Sequence, residues 1–512
     1  MDKIKAALRR LLLVTAKKLA AEDSAAPVVR NAKNIFLREI KIPVFLTVGI
    51  TITALYLMFI MGLGFSYRTM LSVAIFTLSV IAFFIENTRK EEKEILSDSD
   101  AVVLMCLIFV TGVLTLQFSV YNGYLSPFIF PVAAFALMSA MLLSVRIGLL
   151  YGLILSLYAG FLSDMRFDVF LTMFCGSVVC VADAGRIRSR SGFIVTGLKA
   201  AFVNISVITV FFLLKQYGLP QYFENIRFGF YNGLVTAVIL LVLVPVFEKL
   251  FSRTTNIKLI ELADFNNVLL KRLMLEAPGT YHHSLWTAAV AEQAANAIGA
   301  NAILARVCSY YHDIGKLKNP EYFIENQNSG ANPHDALSPA MSALILMSHV
   351  KDGVSLAKKY NLDKEIINNI EQHHGTTVMS YFYHKALEKN SETDASMFVY
   401  PGPKPQTKTA AIIMISDSSE AACRAIEEPT AVRIKETVEK IINNKFTDGQ
   451  FSDCPITLKD LENIRNSVTS TLVGIYHARI EYKETANDKE QVQMTKNKEQ
   501  TANNKEQVTK NR

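Results

Sequence analysis

The sequence predicts an all-α protein in two parts, a polytopic bundle of about eight transmembrane helices followed by an all-helical domain in water. Apolar residues are concentrated between Ile42 and Phe251, and charged residues lie mainly before and after this stretch. From Arg253 onward, apolar residues recur at helical spacing with little of the alternation that is typical of strands. Eight of the nine histidines lie between residues 282 and 384, so the second part is expected to carry the chemistry.

The first 41 residues form a basic segment with ten lysines and arginines. We expect no cleavable signal, because the first long apolar run begins only at Ile42. Residues 4–20 fit either a basic amphipathic helix on anionic lipid or a solvated tail. Basic residues elsewhere cluster beside apolar runs, which indicates membrane topology and not a nucleic-acid partner. The six cysteines show no paired spacing and are expected to be reduced thiols.

Residues 42–251 are predicted to form the membrane domain, since a span needs about 20 apolar residues. The candidate spans are residues 42–63, 69–85, 101–120, 126–143, 147–162, 169–182, 192–214 and 228–247. With the basic N-terminal segment placed inside, the loops after even-numbered spans carry more lysine and arginine than the opposite loops. This topology returns the chain to the cytosol before residue 252. The longest opposite loop, residues 215–227, is too short to fold as a domain.

Three polar residues fall within the last two predicted spans, namely Lys199, Asn204 and Asn232. They would be costly facing lipid. They could line a cavity for a ligand or a transmitted signal, or they could form interhelical hydrogen bonds with snorkelling near the span ends. We favour the second interpretation.

Residues 252–483 are predicted to form one compact helical domain. Its helices are expected at residues 266–275, 284–298, 302–311, 339–349, 364–372 and 408–426, separated by proline and glycine breaks. Residues 484–512 contain an imperfect NKEQ repeat with too little apolar content to fold, so we predict a disordered tail.

Adjacent pairs of potential ligands stand out in this domain, namely His312 with Asp313 and His373 with His374. His283 and His349 also lie near predicted helix ends. Imidazole and carboxylate groups bind divalent transition metals, and one carboxylate can bridge two ions. Five histidines and two aspartates are enough for two such ions.

The motifs around these residues resemble those of the HD-domain phosphohydrolases, and more narrowly those of the seven-transmembrane HD family of bacterial cyclic di-AMP phosphodiesterases. The matching strings are EAPGTYHHS at 276–284, YHDIGK at 311–316, PEYFIENQ at 320–327, NPHD at 332–335, SHVKDG at 348–353, HHGTT at 373–377, YPGPKPQ at 400–406 and DSSEAA at 417–422. The likeness covers roughly residues 69–483 and includes YLSP at 124–127 and YNG at 231–233.

This resemblance implies a cytosolic HD-type phosphohydrolase domain anchored in the bacterial inner membrane. It places two divalent ions, manganese or iron, on seven ligands. One set is His283, His312 and Asp417, the other is His349, His373 and His374, and Asp313 bridges the two. His283 is chosen over its neighbour His282 because it precedes Ser284 as in the family pattern.

The implied reaction is hydrolysis of cyclic di-AMP to the linear dinucleotide pApA, which would regulate the level of a second messenger. Asp313 and Lys316 are expected to act in catalysis, and Lys316, His334 and Arg424 are candidates to contact the cyclic dinucleotide. Loop and surface positions are the alternative for His334 and the expectation for His384, and Glu420 with Arg424 could orient ligands or form an internal ion pair. The substrate could instead be another nucleotide, or the domain could be a receptor without turnover. Homo-oligomerisation is left open.

The sequence departs from the family pattern between the first two spans. Family members place a large extracytoplasmic domain after their first span, whereas only residues 64–68 separate the two spans here. Any signal is therefore expected to enter through the bundle, the lipid or a partner protein.

Overall fold

The computed structural model describes residues 98–121, 126–215, 218–327 and 332–476, together with the isolated positions 75, 79, 86 and 95. The predicted basic segment, the first span and the polar tail lie outside these residues, as does nearly all of the second span. Among the residues described, the regular structure is helical apart from one isolated β-bridge between Val378 and Val399. The all-α prediction is confirmed to that extent. The chain divides into two compact units, Met1–Glu261 and Leu262–Arg512.

In its described part, the first unit contains six apolar helices and a short connecting helix. They are α1 (Ser99–Tyr121), α2 (Val132–Leu142), α3 (Val145–Leu162), α4 (Phe167–Ala182), α5 (Ser191–Lys215), α6 (Leu219–Phe251) and α7 (Asn256–Leu262), which ends at the division. By length and composition, α3, α5 and α6 could each cross a membrane, and three shorter apolar segments accompany them. The described residues therefore contain three candidate spans, which does not confirm the predicted count of about eight.

Two predicted boundaries in this unit are wrong. Residues 219–227, expected in a loop, form the first turns of α6. Pro220 is tolerated there because a proline in the first helical turn removes an N–H that has no intrahelical partner. The predicted span 126–143 is divided into a short 3₁₀ turn, Pro127–Ile129, and α2.

Polar side chains in the bundle join one helix to another. Asn204 on α5 donates a 3.0 Å hydrogen bond to Asn232 on α6, and Asn232 donates in turn to the carbonyl oxygen of Phe128 at 3.2 Å. Lys199 pairs with Asp183 at 2.7 Å. Helices α5 and α6 approach so closely that a Cβ at Gly233 would collide with the backbone of α5, a contact typical of small residues in membrane bundles. The preferred interpretation of the three polar residues as interhelical partners is confirmed.

The second unit contains nine longer helices in its described part. They are α8 (Val268–Glu276), α9 (Pro278–Ala297), α10 (Ala302–Tyr311), α11 (Pro339–Lys359), α12 (Lys364–Gln372), α13 (Ser380–Leu387), α14 (Lys408–Arg424), α15 (Ala431–Thr447) and α16 (Leu458–Tyr476). Short 3₁₀ turns connect α10 to α11. Apolar residues of α9, α14, α15 and α16 form a shared buried core.

Helices α10 and α12 have the predicted bounds, but α9 and α11 are longer than predicted. Helix α9 begins at Pro278, so His283 lies inside it and not near its end. The predicted break at Pro278 is instead a helix start, since proline suits the first turn. Helix α11 continues ten residues past His349, because the buried residues Val350, Gly353 and Ala357 maintain its helical pattern.

Candidate metal centre

All seven predicted ligands converge in the second unit, although five separate segments supply them. His283 lies within α9, His349 within α11 and Asp417 within α14. The two adjacent pairs follow helix ends, His312 and Asp313 after α10 and His373 and His374 after α12. Each is buried except His374, whose side chain is 21% exposed.

The Asp313 carboxylate faces histidines on both sides. Its Oδ2 lies 3.2 Å from His312 Nε2 and 3.7 Å from His283 Nε2. Its Oδ1 lies 3.3 Å from His349 Nε2 and 3.7 Å from His373 Nε2. One carboxylate thus presents a different oxygen to each of two groups of imidazoles, Oδ2 to His283 and His312 and Oδ1 to His349 and His373.

Asp417 completes one of these groups. Its Oδ1 lies 3.0 Å from His283 Nε2 and 3.7 Å from His312 Nε2, and its Oδ2 lies 3.8 Å from His374 Nδ1. Potential ligand atoms within 4.8 Å of one another form three overlapping sets among the residues described. These sets are Asp313, His349, His373 and His374; His283, His312 and Asp313; and His312, His373 and Asp417.

Three of the histidines are oriented by their own backbone. His312, His349 and His373 each donate from Nδ1 to the carbonyl oxygen three residues earlier, at 2.7, 2.6 and 2.7 Å. This bond places a proton on Nδ1, so Nε2 is the ring nitrogen that faces Asp313. Each ring is thereby held with Nε2 in position to act as a metal ligand once it carries no proton.

His283 is oriented differently, by a distant side chain. Its Nδ1 is hydrogen-bonded to Glu420 Oε2, while its Nε2 faces Asp417. The same Glu420 accepts a 2.9 Å hydrogen bond from the Tyr476 hydroxyl and lies 3.3 Å from Arg424. The sequence leaves two interpretations open for Glu420, orientation of a ligand and an internal ion pair. The structure contains the contact that each requires, with His283 and with Arg424.

Buried charges shift the pKa values of the site in two directions. Burial, reinforced by the charges of His312 and His349, lowers the pKa of His373 to about 3. Burial would also lower the pKa of His312, but the negative charges of Asp313 and Asp417 outweigh it and raise the pKa to about 10. Burial would raise the pKa of Asp313, yet the positive charges of His312 and Lys316 hold it well below its ordinary value. The carboxylate is therefore ionised at neutral pH.

Two buried polar atoms at the centre lack a hydrogen-bond partner among the residues described, namely His312 Nε2 and Asp313 Oδ1. Leaving such atoms without a partner costs free energy in a low-dielectric interior. Both atoms face nitrogen or oxygen atoms of neighbouring side chains that could bind a metal ion. A divalent cation between them would supply the missing partner. The donor set thus fits the metal-dependent chemistry expected from the sequence.

A cavity of about 620 Å³ opens onto this centre and is lined in part by Lys316, Phe323, Tyr400 and Arg424. Lys316 Nζ lies 2.8 Å from Asp313 Oδ2 and 2.6 Å from Glu325 Oε1. The ring of Tyr400 stacks on His374 with centroids 4.3 Å apart. Glu325 and Tyr400 were within matching sequence strings but had no predicted role.

His334 is buried, contrary to the surface position that was the alternative for it, and it does not line this cavity. Its Nε2 donates to the carbonyl oxygen of Tyr322 at 2.8 Å, and its ring contacts Phe382. His282 and His384 are exposed. Two residues outside any recognisable motif also have contacts near the cluster. Tyr476 donates to Glu420, and Gln450 accepts from the backbone N–H of Thr376, two residues after His374.

Known protein families match both units of the chain. A family model described as a 7TM receptor with intracellular HD hydrolase matches residues 67–255, and an HD-domain model matches residues 280–422. A cyclic-di-AMP phosphodiesterase PgpH of Bacillus subtilis is 37% identical over 81% of this chain, and one of Listeria monocytogenes is 37% identical over 80%. The chain spans 60% and 58% of the length of these two relatives.

Solved structures of an L. monocytogenes PgpH HD domain are 50% identical in sequence to this chain. The match to the structure of the domain alone covers 41% of this chain and 100% of that domain. The match to its complex with cyclic-di-AMP covers 42% of this chain and 99% of that domain, and each match has a TM-score of 0.40. The regions matched by the two family models, residues 67–255 and 280–422, include the described apolar helices of the first unit and the histidine cluster of the second. The chain is thus a membrane protein that belongs to the family of 7TM receptors with an intracellular HD hydrolase.

Proposed function

We propose that this chain is a membrane-anchored, dinuclear-metal phosphodiesterase that hydrolyses cyclic di-AMP to pApA. The observation that carries the proposal is the Asp313 carboxylate, which lies beside an open cavity and presents one oxygen to each of two groups of imidazoles. The two PgpH relatives, named as cyclic-di-AMP phosphodiesterases, support the substrate.

Two divalent ions, manganese or iron, would be held as the sequence motifs imply. His283, His312 and Asp417 would bind one ion, His349, His373 and His374 the other, and Asp313 both. Bound ions of this kind supply Lewis acidity and a nucleophile at neutral pH. The low pKa values of His349 and His373, caused first by burial, support the proposal because these imidazoles are neutral and free to bind metal at neutral pH.

Cationic side chains of the chain would bind and orient the phosphodiester. Lys316 keeps its proton because the charges of Asp313 and Glu325 outweigh its burial and raise its pKa. Its ammonium group and the Arg424 guanidinium both line the cavity, where they would attract phosphate oxygens. We leave His334 out of the substrate contacts, because its ring is buried against Tyr322 and Phe382.

We propose residues 42–251 as the membrane domain, with about eight spans in the bacterial inner membrane, and residues 252–483 as a cytosolic HD domain. The six described apolar segments support this topology, and two further spans are predicted at residues 42–63 and 69–85. A fluorescent reporter fused after residue 476 should mature in the cytoplasm. A periplasmic or extracellular reporter would contradict the topology.

The activity can be tested with the full chain purified in detergent and supplied with manganese or iron. We expect conversion of cyclic di-AMP to pApA, with little turnover of cyclic di-GMP or (p)ppGpp. Asp313→Ala should abolish turnover while the circular dichroism spectrum is retained. No turnover of cyclic di-AMP with any divalent metal would overturn the proposal, and tight binding without product would favour a receptor instead.

A further inference from the structure

The second unit extends well beyond the region matched by the HD-domain model, which ends at residue 422. Helices α15 and α16 and the turn between them, which we call the C-terminal helix pair (residues 431–476), contact residues next to the proposed ligands at two places. We propose that this helix pair positions proposed ligands in both groups of imidazoles. Tyr476 would act on His283, and Gln450 would act on His373 and His374. The inference rests on the metal centre in the proposed function.

The first contact passes through Glu420 to His283. The Glu420 side chain is wholly buried, so both of its carboxylate oxygens need protein partners. Its Oε2 is taken by His283 Nδ1, and its Oε1 accepts from the Tyr476 hydroxyl at 2.9 Å. The tyrosine therefore restricts rotation of the carboxylate that orients the imidazole.

The second contact holds the turn after His373 and His374. Gln450 is 2% exposed and lies between α15 and α16. Its Oε1 accepts from the backbone N–H of Thr376 at 3.0 Å and lies 3.3 Å from the Thr376 hydroxyl. Gly375 has a positive φ of 54°, and a Cβ there would lie 2.6 Å from the same Gln450 oxygen. The turn is thus shaped around this side chain.

The helix pair is itself firmly anchored. Ile434 and Val438 of α15 and Ile464, Val468 and Leu472 of α16 are fully buried in the core shared with α9 and α14. Those two helices carry His283 and Asp417. An element held in this way can hold its two polar contacts at constant positions, which is what a positioning role requires.

The test compares metal affinity, by competition with a chelator, in variants of the full chain in detergent. Tyr476→Phe keeps the ring and removes only the hydroxyl, so we expect affinity to fall about fivefold, as for one net hydrogen bond. Gln450→Met should cause a similar loss, and Gln450→Glu, which keeps an acceptor oxygen, should restore affinity. The matched control is Tyr381→Phe, on a ring that is 70% exposed, which should bind metal like the wild type.

Melting temperatures of the metal-free variants separate positioning from folding. A positioning role predicts melting within a few degrees of the metal-free wild type, together with an altered electron paramagnetic resonance spectrum of bound manganese. Wild-type affinity and spectrum in both Tyr476→Phe and Gln450→Met would overturn this inference alone. A wild-type protein that binds no divalent metal would overturn the proposed function and the inference together.

Discussion

The histidines of the proposed metal centre are oriented in two different ways. His312, His349 and His373 donate to carbonyl oxygens three residues earlier in their own segments, at nearly equal distances of 2.6–2.7 Å. His283 has no such bond among the contacts described, and its Nδ1 is held by Glu420, which is 137 residues away in sequence.

The difference shows what each ligand depends on. A backbone-held imidazole needs only local helical geometry, so its orientation forms together with its helix. His283 needs α9, α14 and α16 to be packed before its ring is oriented, because Glu420 and Tyr476 belong to the last two. We therefore expect its side of the centre to be the more sensitive to substitutions outside the ligands.

The largest effect is expected from Asp417→Asn, on the His283 side of the centre. The change keeps the shape of the side chain and removes the negative charge that lies 3.0 Å from His283 Nε2. Metal affinity should fall by more than about 100-fold, beyond the range found for outer partners of metal ligands. Metal content after dialysis measures this. Retention of wild-type metal content would remove Asp417 from the ligand set.

Glu420→Gln tests the side-chain hold directly. The amide cannot provide two anionic acceptors for His283 and Tyr476, so metal affinity should fall about 10- to 100-fold. Glu439→Gln is the matched control, since the Glu439 side chain is 42% exposed and pairs only with Arg465 among the contacts described. Equal affinities for the two variants would mean that His283 does not depend on Glu420.

Gly315→Ala tests the backbone-held side. A methyl group there would collide with the carbonyl oxygen of His349, so α11 must shift. We expect a destabilisation of about 1–3 kcal/mol, typical of overpacking, measured by thermal unfolding of the metal-free chain. Gly474→Ala is the control because a Cβ at this position in α16 meets nothing within 4 Å. It should be neutral or stabilise the protein by up to about 1 kcal/mol.

The smallest effect is expected from Asn232→Leu in the first unit, where polar side chains also bond to one another but form no potential metal-ligand set among the residues described. The change removes hydrogen bonds to Asn204 and to the Phe128 carbonyl, and interhelical bonds in membranes average about 0.6 kcal/mol each. The free energy of unfolding in mixed detergent should fall by about 1 kcal/mol, and the metal affinity should not change. Ser206→Ala is the control, since its hydroxyl bonds within its own helix. An equal shift in both variants would contradict the interhelical role.

Much of the molecule was predictable because its signals are local. Apolar runs marked the bundle, and helical spacing located α10 and α12 to the residue. The start of α9 was missed because Pro278 and Gly279 suggested a break. In the structure, the first turn of α9 packs closely against the backbone at Glu325, which only a glycine at position 279 allows.

The sequence by itself determined the ligand types, their pairing as His312–Asp313 and His373–His374, and the helices that orient three of the imidazoles. The family motifs also implied that Asp313 bridges two sets of ligands. Only the tertiary structure decided which of its oxygens faces which set, and that Glu420 and Tyr476 orient His283. It also decided that Gln450 supports the turn after His374. Residue pairs such as Thr376 and Gln450, 74 residues apart, leave no periodic pattern in the chain, because their contact is set by how helices pack.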